Sequence, residues 1–165
     1  YKKAWNNRSN ELLDKSGARS TFGMAHTFFS VDKPPSNYWN LVRPMMYLIE
    51  DVLGIKCKNR VIRCKAGLLF NLGGERTFNT PHVDHIDVEN YTNILYYLNE
   101  SDGDTTFFNE RFNGNLPDKV TVKEEASHIE NSIVVFDGHQ YHASSNPINF
   151  QDRITLNWTI KNEGA

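Results

Sequence analysis

From residue 60 onward, apolar and polar residues alternate in short runs, which is the period of half-buried β-strands. The pattern predicts strands at 60–72, 78–84, 91–99, 104–109, 119–124, 132–137, 139–144 and 153–161. Turn chemistry separates them: Gly73-Gly74, Asp102-Gly103, Asn113-Gly114-Asn115, Asp137-Gly138 and Asn146-Pro147. The last strand is the clearest. Arg153, Thr155, Asn157 and Thr159 fall on one face, and Ile154, Leu156, Trp158 and Ile160 on the other. In 91–99, Ile94, Tyr96 and Leu98 oppose Asn93, Leu95 and Tyr97. Such strands bury one face against an apolar layer. Polar residues on the other face need partners and imply a cavity.

The first third reads differently. A short helix is predicted at 10–15, ended by Gly17, and an aromatic strand at 21–31, broken by Pro34-Pro35. Ser36 then starts a helix as its N-cap, with Tyr38, Val42, Met45, Ile49 and Val52 at helical spacing. Pro44 should kink or divide this helix, and Gly54 suits its C-terminal end. Met45-Met46 reads as core packing. Eight short strands after a helical region predict a double-stranded β-helix, a cupin-like jelly roll with a helix packed on its major sheet. The 165 residues form one domain: an N-terminal strand and helices at 1–59 and a jelly-roll core at 60–161.

Composition mainly excludes. The charge is −2, with 18 basic and 20 acidic residues, so nothing marks a nucleic-acid partner. No apolar run approaches the ~18 residues of a membrane span, and the first residues lack the apolar core of a signal peptide. A soluble cytoplasmic protein is expected, and the start at Tyr1 suggests a partial N-terminus. Cys57 and Cys64 are too few for a disulfide framework and read as thiols.

The candidate chemistry lies in His82-Val83-Asp84, His142 and Arg153. His82 and Asp84 are two apart at a strand end and share a face, while His142 comes from another strand 58 residues after Asp84. Two imidazoles and one carboxylate hold one face of Fe(II) and leave other positions open. Two rivals exist. His85 and Asp87 repeat the H-x-D spacing but fall in a loop, and His139, after the Asp137-Gly138 turn, should face solvent. His26 and His128 also read as solvent-facing loop histidines. Arg153, eleven residues beyond His142, offers a planar fork to a carboxylate.

About residues 66–161 resemble the Fe(II)/2-oxoglutarate-dependent dioxygenases, within them the prolyl 4-hydroxylase-like group. The resemblance rests on Pro81-His82-Val83-Asp84, the run Thr92 to Asn99, Gly103 to Phe108, Ser132 to Asp137, and His142 followed by Arg153-Ile154-Thr155-Leu156-Asn157-Trp158. It implies that His82, Asp84 and His142 bind iron and that Arg153 pairs with the distal carboxylate of 2-oxoglutarate. Tyr97 and Thr155 would assist. Three positions depart from the family pattern. Asn71 stands where a co-substrate tyrosine is usual, Asn157 where the prolyl hydroxylases have a threonine, and Asp104 where a second glycine is usual. Asn71 and Asn157 are therefore further co-substrate candidates.

The implied cofactors are Fe(II), 2-oxoglutarate and O2 as co-substrates, and ascorbate as an accessory reductant. The implied reaction hydroxylates an unidentified small molecule or peptide, with peptidyl proline as the family analogy, and releases succinate and CO2. Segments 26–38, 85–91 and 110–128 are expected to face the substrate. Two alternatives stand beside this reading: a cupin-like metalloenzyme that does not use 2-oxoglutarate, and a jelly-roll module keeping a metal for structure. Arg153 speaks against the first, because a buried arginine on a cavity wall needs an anion. Three visible ligands speak against the second, since structural sites are closed.

Overall fold

The computed structural model describes residues 23–75 and 77–163; the helix expected at 10–15 lies outside them. In chain order the elements are β1 (Gly23–Ser30), α1 (Trp39–Val42), α2 (Met45–Leu53), β2 (Val61–Phe70), β3 (Tyr91–Tyr97), β4 (Thr105–Arg111), β5 (Val122–Ala126), β6 (Ile133–Asp137), β7 (Gln140–Ser144) and β8 (Asp152–Lys161). The major sheet runs β1-β2-β8-β3-β6 and the minor sheet β5-β4-β7, with antiparallel pairing throughout. Between β2 and β8 the chain passes repeatedly from one sheet to the other. This is the jelly roll expected from the strand count.

One expected strand is not regular. The 78–84 segment joins the minor sheet at two single bridges, Phe78 to Ser145 and His82 to His142. Pro81 lacks an N–H and cannot support a continuous ladder here. The segment nonetheless lies along β7, which brings His82 to His142.

The helix is divided as Pro44 requires, and Gly54 ends α2 in the left-handed region at φ 67°. Ser36 lies outside α1 rather than capping it; its Oγ accepts the Tyr38 N–H at 3.2 Å. The break also rotates the apolar stripe. Tyr38 and Val52 point outward, while Trp39, Val42, Met45, Met46, Ile49 and Leu53 pack on the sheet. Their partners are Leu156, Trp158 and Ile160 of β8, with Ile94, Val61, Cys57 and Cys64. The Trp39 and Trp158 rings lie 5.6 Å apart. The apolar face of β8 is thus sealed by the helices, as its alternation predicts. Its polar face looks inward, between the sheets.

A second cluster lies under the minor sheet, where Val83, Phe108, Tyr141 and Ala143 meet Phe78, Ile86 and Phe112. It fixes the short segment that carries His82 and Asp84.

Candidate functional site

The inward face of the major sheet reads as rows across the strands. Leu69 on β2 pairs with Arg153 on β8; Gly67 pairs with Thr155, which pairs with Tyr97 on β3; Lys65 pairs with Asn157, which pairs with Leu95. Because side chains alternate, these rows stack into a lane between the sheets. A cavity of about 260 Å³ follows it, lined by Lys65, Gly67, Thr105, Thr155, Asn157 and Arg153, with His82, Asp84 and His142.

At one end the three ligand candidates converge, with one donor atom from each within 4.8 Å of the others. The backbone sets the donors. His82 Nδ1 lies 3.0 Å from the Thr80 carbonyl, and His142 Nδ1 lies 3.1 Å from the Gln140 carbonyl. In each ring Nδ1 therefore carries the proton, and the Nε2 lone pair points toward the shared space. Burial lowers both histidines, His142 to about 4, so both rings are neutral at pH 7. Burial alone would raise Asp84, but Arg63, His142 and His82 outweigh it and hold the carboxylate below its ordinary range. Arg63 forms an ion pair with Asp84 Oδ1. Asn157 donates to Oδ2 at 2.9 Å, and His142 Nε2 lies 3.9 Å from that same oxygen. Two neutral imidazole nitrogens and one oriented carboxylate suit Fe(II) or a similar divalent ion.

At the other end sits Arg153, 4% exposed. Its Nε donates to the Gly103 carbonyl and its Nη2 to Thr105 Oγ1 at 2.9 Å. The Tyr97 hydroxyl also donates to Thr105 Oγ1, at 2.8 Å, and its ring lies 5.7 Å from the guanidinium carbon. With two donors already on its oxygen, the Thr105 hydroxyl has its proton left to give, which suits an anionic acceptor. Burial lowers Arg153 to about 10, so it stays charged at pH 7. Gly103 makes the close approach possible. A Cβ there would meet Ser145 O at 2.6 Å and Arg153 Cδ at 2.8 Å.

The other expected residues sort clearly. Thr155 lies midway on the lane. Tyr97 is fully buried and reaches the cavity through Thr105. Asn71 does not reach it. It sits one step past the Arg153 row, where its side chain bonds the Ile148 and Phe150 carbonyls at 2.8 and 3.1 Å, stapling the 146–150 loop. Asn157 lines the cavity, and its hydrogen bond is spent on Asp84.

Among the rival histidines, His85 and His139 lie outside the cluster. His139 is half-buried rather than solvent-facing, with Nε2 2.9 Å from the Val88 carbonyl and its ring edge-on to Tyr91. His26 is exposed, as expected. His128 is not: at 2% exposure it lies against the Tyr97 ring, centroids 4.2 Å apart. Burial, then the nearby Arg153 charge, lowers it to about 4.

Of the segments expected to face the substrate, 26–38, 85–91 and 110–128 contribute nothing to the cavity lining. Its outer wall is instead Gly23, Met24 and Ala25 of β1. Sequence reasoning also missed Thr105, Arg63 and Lys65. Arg63 and Lys65 were legible in principle, as charged residues at alternating positions of an otherwise apolar strand.

No protein-family model matches the chain, and no curated protein does. Solved structures share its fold at low identity. AviO1 from Streptomyces viridochromogenes Tue57 aligns over 99% of this chain and 83% of its own, at 14% identity and a TM-score of 0.53. An oxidoreductase of the 2OG-Fe(II) oxygenase family from Burkholderia pseudomallei aligns over 89% and 70%, at 12% identity and 0.52. A prolyl hydroxylase from Trichoplax adhaerens, in complex with a hypoxia inducible factor oxygen degradation domain peptide fragment, aligns over 94% and 79%, at 11% identity and 0.52. The chain therefore has the fold of the 2-oxoglutarate–Fe(II) oxygenases.

Proposed function

We propose that the protein is an Fe(II)- and 2-oxoglutarate-dependent oxygenase that hydroxylates an organic substrate and releases succinate and CO2. One observation carries this reading. A His-Asp-His donor set and a buried arginine–threonine–tyrosine cradle lie at opposite ends of one small lane. An ion bound by three protein ligands keeps positions open, and a dicarboxylate along the lane would reach both ends. The fold likeness supports the class and leaves the substrate open.

Each residue then has a task. His82, Asp84 and His142 would hold the metal, which when bound supplies the oxidative chemistry. The Thr80 and Gln140 carbonyls fix the imidazole tautomers. Asn157 and Arg63 hold the Asp84 carboxylate in a single orientation. Arg153 and Thr105 would take the distal carboxylate of 2-oxoglutarate, with Tyr97 locking Thr105 in place. Gly67 leaves the middle of the lane open beside Thr155. The cavity's size suits a small molecule or a single side chain, peptidyl proline among them.

Calorimetric titration of the Fe(II)-loaded protein with 2-oxoglutarate, under anaerobic conditions, tests this. Arg153→Lys keeps the charge but loses the fork, and should weaken binding about tenfold. Arg153→Ala should weaken it about a hundredfold or more. Metal affinity should stay within about threefold. If 2-oxoglutarate binds the Ala variant as tightly as wild type, the cradle is misassigned.

A further inference from the structure

Lys65 is a cation in a place that the proposed oxygenase chemistry does not use. It stands on β2 beside Asn157, the residue that bonds Asp84, and lines the cavity. Lys65 is partly exposed, and its charge reaches His82, Asp84 and His142. Among the described residues its ammonium makes no hydrogen bond and no ion pair. Burial lowers its pKa, so holding the charge there costs free energy unless an anion answers it.

Asp84 answers it only in part. Its Oδ1 is taken by Arg63 and its Oδ2 by Asn157, on the side of the metal donors. The charge balance agrees. Set a divalent metal, Arg63, Lys65 and Arg153 against Asp84 and the two carboxylates of 2-oxoglutarate, and two positive charges remain. The wall next to β2 is β1, whose Gly23, Met24 and Ala25 line the cavity and are exposed. Gly23 stands in the Leu69–Arg153 row and Ala25 in the Gly67–Thr155 row, one row short of Lys65, whose β1 partner is Thr27.

We infer that Lys65 receives a carboxylate of the primary substrate, which is therefore a small organic acid. This rests on the oxygenase reading above. It differs from a second contact to 2-oxoglutarate, whose own carboxylates belong to Arg153 and the metal.

The test uses the anaerobic protein loaded with Fe(II) and 2-oxoglutarate, titrated calorimetrically with acetate through hexanoate and with the matching primary amides. At least one acid should bind, about tenfold or more tighter than its amide. Lys65→Met should remove that advantage and Lys65→Arg should retain most of it. Both variants should keep Fe(II) and 2-oxoglutarate affinities within about twofold, which also shows that they are folded. The inference is overturned if no acid binds, if amides bind equally well, or if Lys65→Met leaves acid binding unchanged. It is also overturned if Lys65→Met weakens 2-oxoglutarate itself about tenfold, since Lys65 would then serve the co-substrate. A wild-type protein that binds metal but no 2-oxoglutarate, seen before any acid is added, contradicts the oxygenase reading instead.

Discussion

At the scale of residues, the metal assignment makes the sharpest distinction. His142 and His139 are three positions apart, yet one turns its Nε2 into the donor cluster and the other spends its Nε2 on the Val88 carbonyl. His142→Ala should cut Fe(II) affinity by about a hundredfold or more, while His139→Ala should leave it nearly intact. Metal titration decides between them, and the reverse result would move the site. His128 makes a prediction about pH. An unfolded histidine titrates near 6.5, whereas burial and Arg153 hold His128 at about 4. Its folded pKa is depressed, so the unfolded chain binds more protons between these values. Its contribution is then complete above about 6.5 and is lost as the pH falls toward 4. The loss is roughly 3 kcal/mol. His128→Phe keeps a ring against Tyr97 and removes the titration. In denaturant unfolding of the metal-free protein, the variant should lose less stability than wild type across that window. Parallel pH profiles would show that His128 does not carry the effect.

At the scale of elements, β8 explains how much was legible. Its strict alternation displayed both surfaces of the major sheet in one strand: Trp158 for the helices, Arg153 and Asn157 for the cavity. Where alternation was broken, reading failed. Residues 78–84 looked like a strand but make only two bridges, because Pro81 interrupts the ladder. The stripe through 36–53 was misphased, because Pro44 resets the helical register and turns Tyr38 and Val52 outward. Thr105 could not be found from spacing, because its role depends on β4 passing beside β8 in three dimensions. His128 was misread because no local pattern shows that its loop folds back onto Tyr97. The separation of faces is itself testable. Trp39 is partly buried against Trp158, so Trp39→Ala should destabilise by about 2 kcal/mol, below the ~3–5 of a fully buried aromatic. Metal affinity should not change, because that packing lies on the opposite side of the sheet from the site. A large loss of metal binding at unchanged stability would mean that the helices shape the site directly.

At the scale of the whole molecule, the jelly roll brings distant sequence together. His82, His142 and Arg153 come from separate stretches of chain, and the passage between the sheets puts them around one lane. Among the described residues no helix is long and apolar enough to cross a membrane. The lane's two ends make one claim: a metal at one and a dicarboxylate's far end at the other, coupled through 2-oxoglutarate. Succinate formation from 2-oxoglutarate by the Fe(II)-loaded protein in air measures that coupling directly. Wild type should release succinate only when iron is present, slowly without a primary substrate, and Asp84→Ala should release none. Folded, iron-loaded wild type that forms no succinate, with or without the acids that bind beside Lys65, would contradict the account.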